Sequence, residues 1–182
     1  MLLNIIEPIA PNDYVAFTFF AGYIAMLAAS VFFFIERGSV DEKWKMSLLV
    51  SALITGIAAV HYYYMRDYYL ATNDSPTFFR YVDWILTVPL MCVEFYLLTK
   101  LAGAKKSLLW KLILASAWML VCGYIGEAFN PGGTSAGAHS VTWGVLSTIG
   151  YLYILYTVWL GEVAQLAENS NSESIKKGVR YL

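Results

Sequence analysis

RYVDWILTVPLMCVEFYLL, residues 80–98 of a 182-residue chain, is apolar enough to lie in a bilayer and yet carries Arg80, Asp83 and Glu94. On insertion scales an Asp or Arg at the centre of a membrane helix costs about 2.5–3.5 kcal/mol, so charges there are functional candidates by default. At about 100° per residue and with Asp83 as zero, Arg80 falls at about +60°, Thr87 at about +40°, Met91 at about +80° and Glu94 at about +20°. One face therefore holds both carboxylates. Eleven positions separate them, a rise of about 16 Å that puts them in opposite halves of a membrane, out of contact. They form two proton-exchanging groups on one line and not a close acid/base dyad. A plainer reading stays open, in which Glu94 snorkels to an interface and Arg80 forms a buried structural pair with Asp83. Thr87 and Pro89 suit either reading, because a membrane helix tolerates the kink and the lost N–H.

Around this stretch the composition is 59% hydrophobic, 16% aromatic and only 14% charged, with a mean hydropathy of +0.57. That excludes an ordinary soluble domain and makes the chain an integral membrane protein, its first partner the lipid bilayer. A net charge of −1 gives no argument for a nucleic-acid partner. Cys92 and Cys122 sit in apolar stretches as small hydrophobes, with no disulfide or metal-ligand spacing. His-Glu-x-x-His does not occur and no cysteine or histidine cluster is spaced for a metal, so an intramembrane enzyme is the weakest class. The opening MLLNIIEPIAPND lacks a basic leader and is interrupted by Pro8 and Pro11, so it does not read as a cleaved signal.

Five stretches are long enough to cross about 30 Å of hydrocarbon, near residues 14–35, 46–66, 78–99, 107–128 and 140–161. Without repeats or low-complexity linkers, the expected fold is all-α, a membrane helical bundle. Arg37, Lys43 and Lys45 flank the first connection, and Lys100, Lys105, Lys106 and Lys111 flank the third. The positive-inside rule makes those loops cytoplasmic and puts the N-terminus and the uncharged 129–139 loop outside. The second span then runs outward and the third inward, joined by an outer loop over residues 67–77. His61 and Asp83 fall at similar depths, so His61 is a candidate partner of Asp83. In the fourth and fifth spans Ala115, Ser116, Gly123, Gly126, Trp143, Ser147 and Gly150 read first as packing positions. Glu127 is expected at the interface and His139 in a loop. Residues 162–182 are expected to be a polar cytoplasmic segment leading toward a further span.

Residues 80–98 also resemble the third helix of the proteorhodopsins, a group of microbial rhodopsins, with Arg80, Asp83, Trp84, Thr87, Pro89 and Glu94 at matching spacings. HYYYMRD at 61–67, DSPTFFRY at 74–81 and GYIGEA at 123–128 are similar to the same family, and the likeness runs through all five spans. The resemblance implies a retinal chromophore held on a lysine as a protonated Schiff base, with light driving protons outward across a bacterial-type inner membrane. By that analogy Asp83 is counterion and proton acceptor, His61 tunes Asp83, Arg80 shapes the extracellular field, and Glu94 is the cytoplasmic proton donor. Trp84, Thr87, Met91, Met119, Gly123 and Ser147 line the retinal pocket, Met91 resembling the green-absorbing members. Gly144 stands where some relatives carry Trp, which implies a lateral opening for a carotenoid antenna. A homo-oligomer of the full-length protein is compatible with the family, and the sequence itself leaves the oligomeric state open.

The Asp83, Thr87, Glu94 set is similar to the proton pumps of the family. Sodium and chloride pumps differ at these places, and sensory rhodopsins usually lack a carboxylate at the Glu94 position. The chain departs from the pattern in one respect: the retinal-bearing lysine of the family lies in a seventh helix, and five spans are present. Lys43, Lys45, Lys100, Lys105, Lys106, Lys111, Lys176 and Lys177 all fall in loops, at helix ends or in the tail. The sequence is therefore expected to be a fragment of a seven-helix pump, with Arg80, Asp83 and Glu94 turned toward uncovered space and with poor stability alone. A chromophore-free proton channel or interaction protein, relaying protons through His61, Asp83 and Glu94, is the alternative from a different class.

Overall fold

A computed structural model describes residues 10, 12–129 and 138–181. They fold into seven helices and, among the described residues, no strand: α1 (Tyr14–Glu36), α2 (Glu42–Thr72), α3 (Thr77–Lys100), α4 (Lys106–Ala128), α5 (Ala138–Trp159), α6 (Glu162–Asn169) and α7 (Glu173–Tyr181). Five of them are long and apolar enough to cross a membrane, the fifth apolar stretch running on through His139–Asn169. The expectations placed on the first nine residues and on most of the 129–139 loop lie outside the described residues.

Local chemistry sets several of the helix ends. Asp13 caps α1, its Oδ1 accepting the Ala16 N–H at 2.9 Å. α2 stops at Asn73, which takes the left-handed conformation at φ 54° that Asn tolerates better than most residues. Pro76 then stands just before α3. Gly161 separates α5 from α6, and a Cβ there would sit 2.9 Å from the Thr157 Cα, so the chain turns too tightly for a side chain.

α2 is longer than its expected 46–66 and the loop after it correspondingly shorter, because the charges at its C-terminal end are matched inside the helix. Arg66 is buried, its guanidinium 5.0 Å from the Tyr63 ring centre and 5.8 Å from that of Tyr23 on α1. Its Nη2 also donates to Asp67 Oδ1 at 2.7 Å. Cation–π contact and a charge-assisted hydrogen bond together offset the cost of keeping Arg66 in the helix.

The long helices pack chiefly on their chain neighbours, α1 on α2, α2 on α3, α3 on α4 and α4 on α5. Small residues such as Ala16, Ser30, Ala52 and Ala59 are buried, while large ones such as Phe17, Phe32, Leu114 and Trp110 are exposed. That inversion is the arrangement expected when the surrounding solvent is lipid and close backbone approach holds the helices together. One apolar cluster lies at the end of the bundle that carries the lysines, joining Leu98, Leu108, Leu112 and Val158 to Val163 of α6 and Val179 of α7. Residues 162–181 are thus folded back over the ends of α3, α4 and α5 as two short helices, each with an apolar side toward the bundle.

Candidate functional site

α3 supplies the line of charged groups, and α2 covers two of them. Asp83 is 3% exposed and Glu94 8% exposed. The expectation that both face open space is therefore corrected: a helix preceding them in the chain packs over their shared face.

His61 of α2 is brought to Asp83, with Nδ1 at 3.5 Å from Oδ1. The same Nδ1 lies 2.9 Å from the Ile57 carbonyl oxygen. A carbonyl can only accept, so the contact is a hydrogen bond when Nδ1 carries the proton. That N–H then places a partial positive charge beside the Asp83 carboxyl. Asp83 Oδ1 itself is buried without a hydrogen-bond partner among the described residues. Thr87 does not serve it, because its hydroxyl donates to the Asp83 backbone carbonyl at 2.9 Å.

Glu94 has partners that sequence reasoning missed. Ser51 Oγ donates to Glu94 Oε1, and Ser47 Oγ stands 3.4 Å from the same oxygen. The two serines are one turn apart on α2, and their spacing is the signal that was available. About three turns of α3 separate this carboxylate from Asp83.

Arg80 pairs with Glu127 of α4, not with Asp83, its Nη1 donating to Glu127 Oε1 at 3.0 Å. Thr77 Oγ1 donates to the same oxygen at 2.8 Å, and Arg80 Nη2 reaches Ser75 Oγ at 3.3 Å. The buried Arg80–Asp83 pair is thereby ruled out. Glu127 stays partly exposed, as an interfacial residue should.

The remaining candidates divide into two groups around Tyr81. On α3, Trp84 is 38% and Met91 40% exposed, on the same side of the helix as buried Thr87. Tyr81 packs edge-on against Trp84 with ring centres 5.2 Å apart. On the other side, Ser147 Oγ donates to the Met119 carbonyl at 2.8 Å, tying α5 to α4. A Cβ on Gly123 would lie 2.9 Å from Tyr81 Oη and 3.3 Å from Ser147 Oγ, so glycine is what admits the phenol. Tyr81, Gly123, Glu127, Gly144 and Ser147 line one cleft of about 440 Å³. Tyr81, which the sequence did not single out, joins the two groups. A Cβ on Gly144 would meet nothing within 4 Å. Among the described residues no group of three or more His, Cys, Asp or Glu is placed to hold a metal.

The sequence pattern of the family described as bacteriorhodopsin-like protein matches residues 13–182. The green-light absorbing proteorhodopsin of Gamma-proteobacterium EBAC31A08 is 48% identical over 155 residues, covering 83% of this chain and 58% of its own length. The crystal structure of blue light-absorbing proteorhodopsin from Med12 superposes with a TM-score of 0.72 at 42% identity, over 91% of this chain and 76% of that one. Xanthorhodopsin, described as a light-driven ion pump with dual chromophore, superposes with a TM-score of 0.76 at 31% identity, over 92% and 72%. The chain spans 58% of the length of the curated proteorhodopsin it matches.

Proposed function

We propose that this chain, which belongs to the bacteriorhodopsin-like protein family, provides the proton-handling side of a light-driven outward proton pump with retinal as its chromophore. Asp83 carries this reading: a buried carboxyl oxygen without a hydrogen-bond partner calls for a cation beside it. A retinal held on a protonated amine fits that demand, and when bound it supplies visible absorption and a proton made labile by light.

The chain's own residues then divide the work. Asp83 takes up the proton, and the partial positive charge of the His61 Nδ1–H, 3.5 Å from Oδ1, steadies the carboxylate before the transfer. Arg80, held by Glu127 and Ser75, keeps a fixed positive charge about one turn toward the outer end. Glu94, under the Ser47 and Ser51 hydroxyls, holds a proton on the inner side and returns it after Asp83 has been loaded. Trp84, Thr87 and Met91 on α3, with Met119, Gly123 and Ser147 across Tyr81, wall the chromophore, and Met91 favours green absorption. Lysine-rich connections at one end of the bundle support an N-terminus outside a bacterial inner membrane.

None of the eight lysines stands level with Asp83; Lys100, on the same helix, is seventeen residues away, about 25 Å. The amine that carries retinal is accordingly assigned to a segment these residues do not contain. The test is to read the natural gene for a further span with Asp-x-x-x-Lys and to add retinal to its complete product. A visible pigment bleached by hydroxylamine, and acidification outside illuminated cells, are the expected results. Proton conductance in the dark without retinal would replace the pump with a channel.

A carotenoid antenna against Gly144 belongs to the same proposal, supported by the open space over that glycine and by the dual chromophore named for xanthorhodopsin. Added hydroxylated carotenoid should transfer excitation to the pigment, and Gly144→Trp should abolish the transfer by filling the opening. Equal transfer in wild type and variant, or none in wild type, rejects the antenna.

A further inference from the structure

Where α5 gives way to α6, a cleft of about 620 Å³ is lined by Val158 and Trp159 of α5 and by the charged side of α7. Ile175 and Val179 of α7 are buried in the apolar cluster. That anchoring leaves Lys176, Lys177 and Arg180 on the cleft. None of these three cations has a hydrogen-bond or ion-pair partner among the described residues; the nearby Lys111 is already engaged by Glu162 at 3.2 Å. Glu168 and Glu173 share the rim, which leaves it positive by one charge, three cations against two acids.

Beside this rim runs an apolar track. Ile149, Leu152, Tyr156 and Trp159 recur every three or four residues along α5 and all are exposed, Trp159 by 65%. The track leads from the middle of the bilayer to the cleft and ends on a Trp, a residue suited to headgroup depth.

We propose that this cleft binds an anionic phospholipid, its phosphate against Lys176, Lys177 and Arg180 and one acyl chain along the α5 track. A free phosphate would use the cations alone, whereas the pairing of cations with an exposed apolar strip fits a molecule that has both parts. Each Lys or Arg near an anionic membrane surface contributes about fivefold in affinity. The site needs neither retinal nor light, so its failure and that of the pump reading are separate.

The experiment is native mass spectrometry of the complete protein released from nanodiscs of mixed phosphatidylglycerol and phosphatidylcholine. One phosphatidylglycerol per protein should be retained in preference to phosphatidylcholine. The Lys176→Gln, Lys177→Gln, Arg180→Gln variant should lose retention by about fivefold per cation, and Glu168→Gln with Glu173→Gln should gain by a similar factor. Trp159→Ala should weaken lipid retention, and millimolar inorganic phosphate should not displace the lipid. Unchanged retention in the triple variant, equal retention of the two lipids, or displacement by inorganic phosphate overturns the proposal. Should the triple variant fail to fold, the sign of the response to removing the two acids still decides it.

Discussion

Asp83→Asn is expected to abolish light-driven acidification by cells making the complete, retinal-loaded protein, a loss of at least about a hundredfold from removing a positioned proton-transfer group. The amide matches the carboxyl in size and keeps the packing beneath α2, where Asp83 is almost wholly buried. It takes up no proton at the atom that lies 3.5 Å from His61 Nδ1. Pigment should still form, because the residues assigned to the pocket wall are untouched. The check is a pH electrode in an illuminated cell suspension; acidification within twofold of wild type would sink the acceptor assignment.

Glu94→Gln should leave the outward release step intact and slow recovery of the ground state by about a hundredfold or more, as loss of an internal general acid does. The glutamine still receives the Ser51 hydroxyl, so the local hydrogen bonding survives while the proton store is gone. The sign of the pH dependence follows. With an internal donor, recovery is nearly flat around neutrality. Without one, the proton comes from the medium and recovery slows about tenfold for each unit of rising pH. Flash spectroscopy across that range measures it, and an unchanged, pH-independent recovery would remove Glu94 as donor.

How much of this was legible in the sequence depends on whether a feature lies along one helix or between two. The α3 stripe was readable because helical periodicity alone puts Asp83, Thr87 and Glu94 on one face, and the His61 contact followed from matching depths across one loop. Arg80 was misjudged in the plainer reading, since its nearest acid in sequence is Asp83 and its actual partner, Glu127, is 47 residues away on α4. Ser47 and Ser51 lie one turn apart, a spacing that took on meaning only when α2 was laid over Glu94. The C-terminal end of α2 was cut short at Arg66 because Arg66 and Asp67 are charges that close an apolar span, and only the Tyr23 and Tyr63 rings make a buried guanidinium tolerable inside a longer helix. Tyr81 escaped notice as one tyrosine among fourteen; its place between Trp84 and Gly123 is set by helix packing that no local pattern encodes.

The neighbour-on-neighbour packing of the long helices bears on how the carboxylates are sheltered. The α2 groups over Asp83 and Glu94, namely His61, Ser47 and Ser51, belong to the same helical hairpin as α3, so this cover needs no contact from a helix beyond Lys100. Closing such short loops costs little chain entropy. The two carboxylates are therefore sheltered by a unit local in the chain, one hairpin, and not by an assembly of distant helices.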